Sequence, residues 1–210
     1  MKPLLRAAAL ALGLGLGGCA SLAPQPSAPG EDAGARAAWL AHRDALSGIS
    51  AFTLDGRAAN SLGVKADLHW QQYADGHFEV RIAGPLGSGA TALSGTAQRV
   101  LIRSAQGEEL SDDPEAWLQA HAGWSLPLRG LRWWALGLPA PDAPAQTQLD
   151  AQGRLAILQQ QGWTLSYNEY TEVDGLALPR RLEASNTQLR VKLLIDRWQD
   201  VLKSAPADGH

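Results

Sequence analysis

Side chains able to do chemistry are few and scattered in this chain of 210 residues. Its five histidines, His42, His69, His77, His121 and His210, include no pair at metal-ligand spacing, and the one cysteine has no second thiol to assist them. His69 and His77 could face each other across a hairpin, yet solvent-side polar positions explain both. Carboxylates gather at Glu108, Glu109, Asp112 and Asp113, just before Pro114. Acidic groups and a proline in the first turn suit the positive end of a helix, so the cluster reads as a helix start rather than an acid and base pair. Ser88 lies between Gly87 and Gly89 without the strand, sharp turn and helix that expose a nucleophile. The run from Gly13 to Gly18 has the spacing of a dinucleotide-binding loop, but no strand precedes it. An enzyme usually shows convergent titratable groups. None are found, so the expectation is no catalytic residue, no metal site and no cofactor.

Cys19 is the exception. It directly follows Leu16, Gly17 and Gly18, which close an apolar stretch from Ala7 that comes after Lys2 and Arg6. A positive amino-terminal region, an apolar segment and small residues before a cut describe a secretory signal. The stretch resembles the lipobox of bacterial lipoproteins, which implies that residues 1–18 are removed and that Cys19 is acylated as the new first residue. The apolar segment is shorter than the roughly 20 residues a membrane span needs. Lipid is then the expected anchor: a lipoprotein Cys carries three acyl chains, and two already hold a protein firmly. Ala20, where enteric lipoproteins kept at the inner membrane have Asp, points by analogy to the outer one. With its single cysteine acylated, the domain has no disulfide and must rely on a core.

Pro24, Pro26, Pro29 and Gly30 among small neighbours make residues 19–35 a flexible tether. One domain over residues 36–203 follows, then a polar tail over 204–210. Without Lys2 and Arg6, 16 basic side chains face 21 acidic ones, a net charge near −5 that leaves no patch for nucleic acid.

Eight Trp stand against three Tyr and two Phe. Indoles line apolar cavities well and keep an N–H available at the rim, but they fill cores equally well. Both readings stay open for each Trp.

The elements that must position these side chains are mostly strands. Arg36 to Gly48 reads as a helix with Trp39, Leu40 and Leu46 apolar. Alternation then marks strands at Phe52 to Ala58, Ala66 to Trp70 and His77 to Ala83, the last with Phe78, Val80 and Ile82 on one face. Asp75-Gly76 is the turn between the second and third. Ala90 to Thr96 and Gln98 to Arg103 add two short strands. After Gly107 the period changes, giving a helix from Asp112 that carries Trp117, Leu118 and His121, and a second from about Pro127 with Leu128, Leu131, Trp134, Ala135 and Leu138. Five strands follow: Gln146 to Leu149, Arg154 to Gln160, Gly162 to Tyr170, Leu176 to Ala184 and Gln188 to Trp198. Such regular runs suggest one large antiparallel sheet curling toward a barrel, with the two helices across its open face or mouth. A sheet that curls without being filled encloses a cavity.

The ordered motifs resemble one family, the outer-membrane lipoprotein receptors called LolB. They are the lipobox Cys19; Gly56-Arg57; Trp70-Gln71-Gln72; Gly84-Pro85-Leu86-Gly87-Ser88; Gly123 with Leu126-Pro127-Leu128; the series from Leu131 through Trp133 and Trp134 to Pro139; Gln161-Gly162-Trp163 with Tyr167; Leu178-Pro179; and Trp198. Gly84 departs from the Asn of enteric members. The resemblance implies a mainly β fold with inserted helices, an unclosed antiparallel β-barrel of about eleven strands enclosing an apolar cavity covered by short α-helices. It also implies a monomeric receptor that takes cargo lipoproteins from the periplasmic carrier LolA and inserts them among the lipids of the outer membrane's inner leaflet. Candidate cavity residues are Trp70, Phe78, Val80, Ile82, Trp117, Trp133, Trp134, Trp163, Tyr167 and Trp198. Which side of the sheet faces the cavity is not fixed by the pattern, and Trp198 falls out of phase with Leu189, Val191, Leu193 and Ile195. The loop Pro85-Leu86-Gly87 carries an apolar tip where a polar residue is the default; in LolB-like proteins a protruding Leu there assists membrane insertion. Other readings are a lipocalin-like binder of a small apolar ligand in a rigid closed barrel, or a structural outer-membrane lipoprotein with a filled core.

Overall fold

The computed structural model describes residues 33–122 and 128–203. Cys19, the leader and most of the tether lie outside these residues, as do Gly123, Leu126, Pro127 and the tail. Helix α1 (Ala33–Ser47) buries Trp39 and Leu46, half-buries Ala35 and His42 on the same stripe, and stops before Gly48. Six strands follow: β1 (Ile49–Asn60), β2 (Lys65–Gln72), β3 (Phe78–Ala83), β4 (Thr91–Gly95), β5 (Val100–Ser104) and β6 (Gly107–Ser111). Helices α2 (Pro114–Ala122) and α3 (Leu128–Ala135) come next. The chain then returns to strands as β7 (Ala145–Leu149), β8 (Leu155–Gln160), β9 (Trp163–Val173), β10 (Leu176–Ser185) and β11 (Arg190–Lys203).

All eleven strands form one sheet in the order β6-β5-β4-β3-β2-β1-β11-β10-β9-β8-β7, antiparallel throughout. The edge strands β6 and β7 do not pair, so the barrel is unclosed. Register defines the face that carries the core. One row across it runs Ile102, Leu93, Val80, Trp70, Leu54, Trp198, and the next toward the turn ends runs Thr91, Ile82, Leu68, Gly56, Ile195. A third is Ala66, Ala58, Leu193, Leu182, Tyr167. The other face is charged, with Arg57–Asp196, His69–Asp55, Arg181–Glu169 and Arg103–Glu108 pairs. Exposed pairs of this kind contribute about 1 kcal/mol or less each, whereas burying one Leu or Phe contributes about 1.5–3. The core therefore holds the sheet together.

Two sequence expectations need correction. Residues 107–111 form an added strand, β6, rather than a lead into a helix; Glu108 pairs with Arg103 across the ladder at 2.8 Å. The helix cap is Asp113, whose Oδ1 accepts the Ala116 N–H at 3.0 Å, while Asp112 pairs with Arg99. His69 and His77 hold the solvent-side positions expected of them: His69 lies opposite Arg81 and bonds Asp55 at 2.7 Å.

A bulge explains the phase of Trp198. Asp55 lies opposite Arg197 and Gly56 opposite Ile195, which leaves Asp196 extra and puts Ile195 and Trp198 on one face. Gly56-Arg57 fits this bulge. A Cβ at Gly56 would lie 2.5 Å from the Leu194 carbonyl oxygen, and Arg57 grips the extra residue's carboxylate with two bonds, of 2.9 and 2.7 Å.

Candidate functional site

The core face is sealed at one end and open at the other. Phe52 sits edge-on between Trp70 and Trp198, with ring centroids 5.4 and 5.3 Å away. Trp198 donates Nε1–H to the Pro179 carbonyl at 2.9 Å. Helix α3 is pinned by Gln160, 3 % exposed, whose Oε1 accepts from Trp134 Nε1 at 2.8 Å and from Ala140 N at 2.9 Å. The same Gln160 donates to the carbonyls of Ala140 and Ala143, so every polar atom of this buried amide is satisfied. Tyr167 Oη donates to the Trp134 carbonyl at 3.0 Å, and burial among these groups holds its phenol well above the usual range. Arg132 Nη2 reaches the Ile49 carbonyl at 2.9 Å and its guanidinium lies 4.8 Å over the Trp133 ring. Desolvation lowers the Arg132 pKa.

Toward the other end the same face is incompletely covered: Ala58, Ala66, Leu68, Val80, Leu93, Val191 and Leu193 are only half-buried, and Ile82 is exposed. A cleft of about 530 Å³ lies along these strands, lined by Ala58, Ala66, Leu182 and Leu193, by Pro85 and Asn168, and by the alternating positions Arg57, Ala59, Lys65, Asp67, Arg181, Glu183, Lys192 and Leu194. Its size is that of a pocket for one small ligand.

Of the ten cavity candidates, Trp70, Phe78, Trp134, Trp163, Tyr167 and Trp198 are buried in the core; Val80, Trp117 and Trp133 are half-buried; Ile82 is exposed. Phe78, Val80, Ile82, Trp70 and Trp198 share the core face, as do Trp163 and Tyr167. None of the ten lines the cleft. Its lining includes small residues, Ala58, Ala59 and Ala66, which a search for large aromatic side chains overlooks. Among the described residues no group of His, Cys, Asp or Glu is arranged to hold a metal.

The β3–β4 loop stands beside the cleft. Gly84 N–H donates to the Ser88 carbonyl at 2.8 Å, Gly87 N–H to the Gly84 carbonyl at 2.9 Å, and Ser88 Oγ–H to the Pro85 carbonyl at 3.0 Å. This closed bonding leaves no room at residue 84, where a Cβ would meet Ser88 Oγ at 2.8 Å. At the tip Leu86 has φ 58° and ψ 25°, a left-handed conformation unusual for Leu, and its relative exposure is 107 %.

A family model described as Outer membrane lipoprotein LolB matches residues 50–198. The chain belongs to that family. The LolB outer-membrane lipoprotein of Pseudomonas aeruginosa PAO1 is 39 % identical over 207 residues, covering 95 % of this chain and 96 % of its own. That of Stutzerimonas stutzeri A1501 is 38 % identical over 196 residues, covering 90 % and 92 %. Among solved structures, a LolA superfamily protein of Nitrosomonas europaea superposes with a TM-score of 0.51 at 10 % identity over 81 % of this chain and 94 % of its own. A DUF1329 family protein of Desulfovibrio piger gives 0.51 at 8 % identity, over 81 % and 95 %. These two likenesses concern the fold alone.

Proposed function

We propose that this LolB-family chain, anchored to the outer membrane through acylated Cys19, accepts lipoproteins from the carrier LolA, shelters their acyl chains on the apolar concave face, and inserts them into the inner leaflet. The observation that carries the reading is the juxtaposition of an incompletely covered apolar face with an outward-pointing Leu86 at its rim. At about 0.8 kcal/mol per buried CH₂, one chain of some 16 carbons resists exposure to water by roughly 12 kcal/mol. Cargo must therefore pass from one apolar shelter directly to the next. The half-buried row from Ala66 to Leu193, with Leu68, Val80 and Leu93 beyond it, offers the first contacts; the buried aromatic candidates form the wall behind them and are reached as the sheet widens.

The test separates acceptance from delivery. Leu86→Glu is expected to keep its melting temperature within a degree or two, since an exposed tip contributes little to folding, and to take labelled lipoprotein from LolA normally. Release into liposomes should fall about tenfold or more, because a carboxylate resists entry into an apolar interface. Failed acceptance with normal insertion of preloaded cargo would assign Leu86 to the carrier contact instead.

A further inference from the structure

Among the described residues seven large apolar side chains are exposed, and four of them, Leu62, Val64, Ile82 and Leu86, lie on neighbouring parts of one rim. Leu62 and Val64 are 68 % and 57 % exposed at the β1–β2 tip. Strands β2 and β3 are antiparallel neighbours, so the β1–β2 and β3–β4 turns emerge from the same end of the sheet. Asp67 opposite Ala83 brings Pro85 and Leu86 alongside Lys65 and Val64, and both Pro85 and Lys65 line the cleft.

Turn tips ordinarily carry Gly, Asn, Asp or Ser, so two large apolar residues at this one need a reason. The turn is well built. Asn60 Oδ1 accepts the N–H groups of Leu62 and Val64, both at 3.0 Å, and Gly63 supplies the positive φ of 85°. Ser61 N–H donates to the Arg190 carbonyl at 2.9 Å, and Arg190 N–H to Ser61 Oγ at 3.2 Å, fixing the tip to the start of β11. The backbone is thus satisfied with both side chains left in water, which a tip that folded back on its own hairpin would not do.

We propose that the β1–β2 tip is a second membrane-contacting element, and that Leu62 and Val64 enter the lipid interface together with Leu86. The inference rests on the delivery role given above to Leu86. The partner is a phospholipid surface: the apolar side chains match the acyl boundary, while exposed Lys65, which makes no ion pair among the described residues, stands one residue behind Val64 at headgroup height. Exposed Ile82 continues the strip onto the concave face. Three contact points define a plane, so two hairpins would hold the cleft mouth at a fixed tilt against the bilayer where one loop would only tether it.

With Cys19 acylated, as proposed above, an introduced cysteine is the only free thiol, which makes the full lipidated chain suitable for labelling. Leu62→Cys, Val64→Cys and Leu86→Cys, with Gly175→Cys on the β9–β10 turn as control, would carry an environment-sensitive fluorophore in vesicles of phosphatidylethanolamine and phosphatidylglycerol. Quenching by brominated phospholipid is expected at 62, 64 and 86 and not at 175. Leu62→Glu combined with Val64→Glu should slow insertion of preloaded lipoprotein about tenfold at unchanged melting temperature. Quenching at 86 without quenching at 62 and 64 would overturn this inference and leave the role of Leu86 intact. No quenching at any rim position would overturn both. A spectral change at 62 and 64 on adding LolA, without quenching by lipid, would make the tip a protein contact and likewise overturn it.

Discussion

Leu86 combines full exposure with a left-handed backbone, two features that each work against folding. A non-glycine residue in that conformation costs about 1–2 kcal/mol, and a side chain in water recovers none of it through burial. Glycine at this position would remove the strain while costing about 0.5–1 kcal/mol in chain entropy. Leu86→Gly is therefore expected to leave thermal stability unchanged or raise it by up to about 1 kcal/mol, while delivery into liposomes falls as the apolar tip is lost. Thermal unfolding and the insertion assay measured on the same preparation check it. A clear drop in stability would show that Leu86 packs against its own hairpin. The large buried residues behave in the opposite way: Trp134 both fills the core and satisfies Gln160, so its loss removes packing and leaves an acceptor short of a donor.

At the scale of elements, α1 precedes the sheet in the chain, and its contacts contain a titratable group. His42 is half-buried on α1 between Trp39 of its own helix and Tyr170 of β9, both with ring centroids 6.5 Å away. Arg154 and Asp150, bonded to each other at the base of the β7–β8 turn, and Glu172 of β9 also face it. Burial, then the Arg154 charge, lowers the His42 pKa from its ordinary 6.5, against the opposite pull of Asp150 and Glu172. The unfolded chain therefore binds this proton at a higher pH than the folded one. Stability present above pH 6.5 should decline as pH falls below it, until His42 titrates in the native state as well. His42→Gln should flatten the slope of stability against pH in that window, as read by urea unfolding at several pH values; an unchanged slope would locate the sensitivity elsewhere. Elements of this kind were legible in the sequence to differing degrees. Alternation and turn residues located α1 and ten of the strands because each buries a simple stripe or face. Strand β6 was not legible: Glu108 and Glu109 on a solvent-facing edge carry no apolar alternation and mimic a helix start. The side of Trp198 was hidden too, since a bulge at Asp196 reverses the period and depends on the partner strand. The cleft was hidden for a different reason, because small residues, Ala58, Ala59 and Ala66, contribute to its lining and carry no large apolar side chain to mark it.

For the whole molecule the decisive feature is a sheet whose ends do not meet. Strands β1 and β11 pair over ten positions at its centre, while β6 and β7 each have one neighbour. A closed barrel could admit a bulky ligand only by breaking a ladder of hydrogen bonds; an unclosed one can widen by further splaying its edges, with every ladder kept. A cleft of about 530 Å³ suits one small ligand, so cargo with several acyl chains, on the function proposed above, would require such widening. The lining moved apart would be the apolar face of β2 to β5 on one side and of β8 to β10 on the other, with the central pair as the hinge. Loading with lipoprotein should therefore change amide hydrogen exchange in β4, β5 and β6 and in β7 and β8, and leave β1 and β11 close to their unloaded protection. Exchange followed by mass spectrometry on loaded and empty protein decides it. Changes spread evenly through β1 and β11 would mean that the sheet loosens as a unit, and no change at all in a fully loaded complex would mean that the cargo is held outside the concave face.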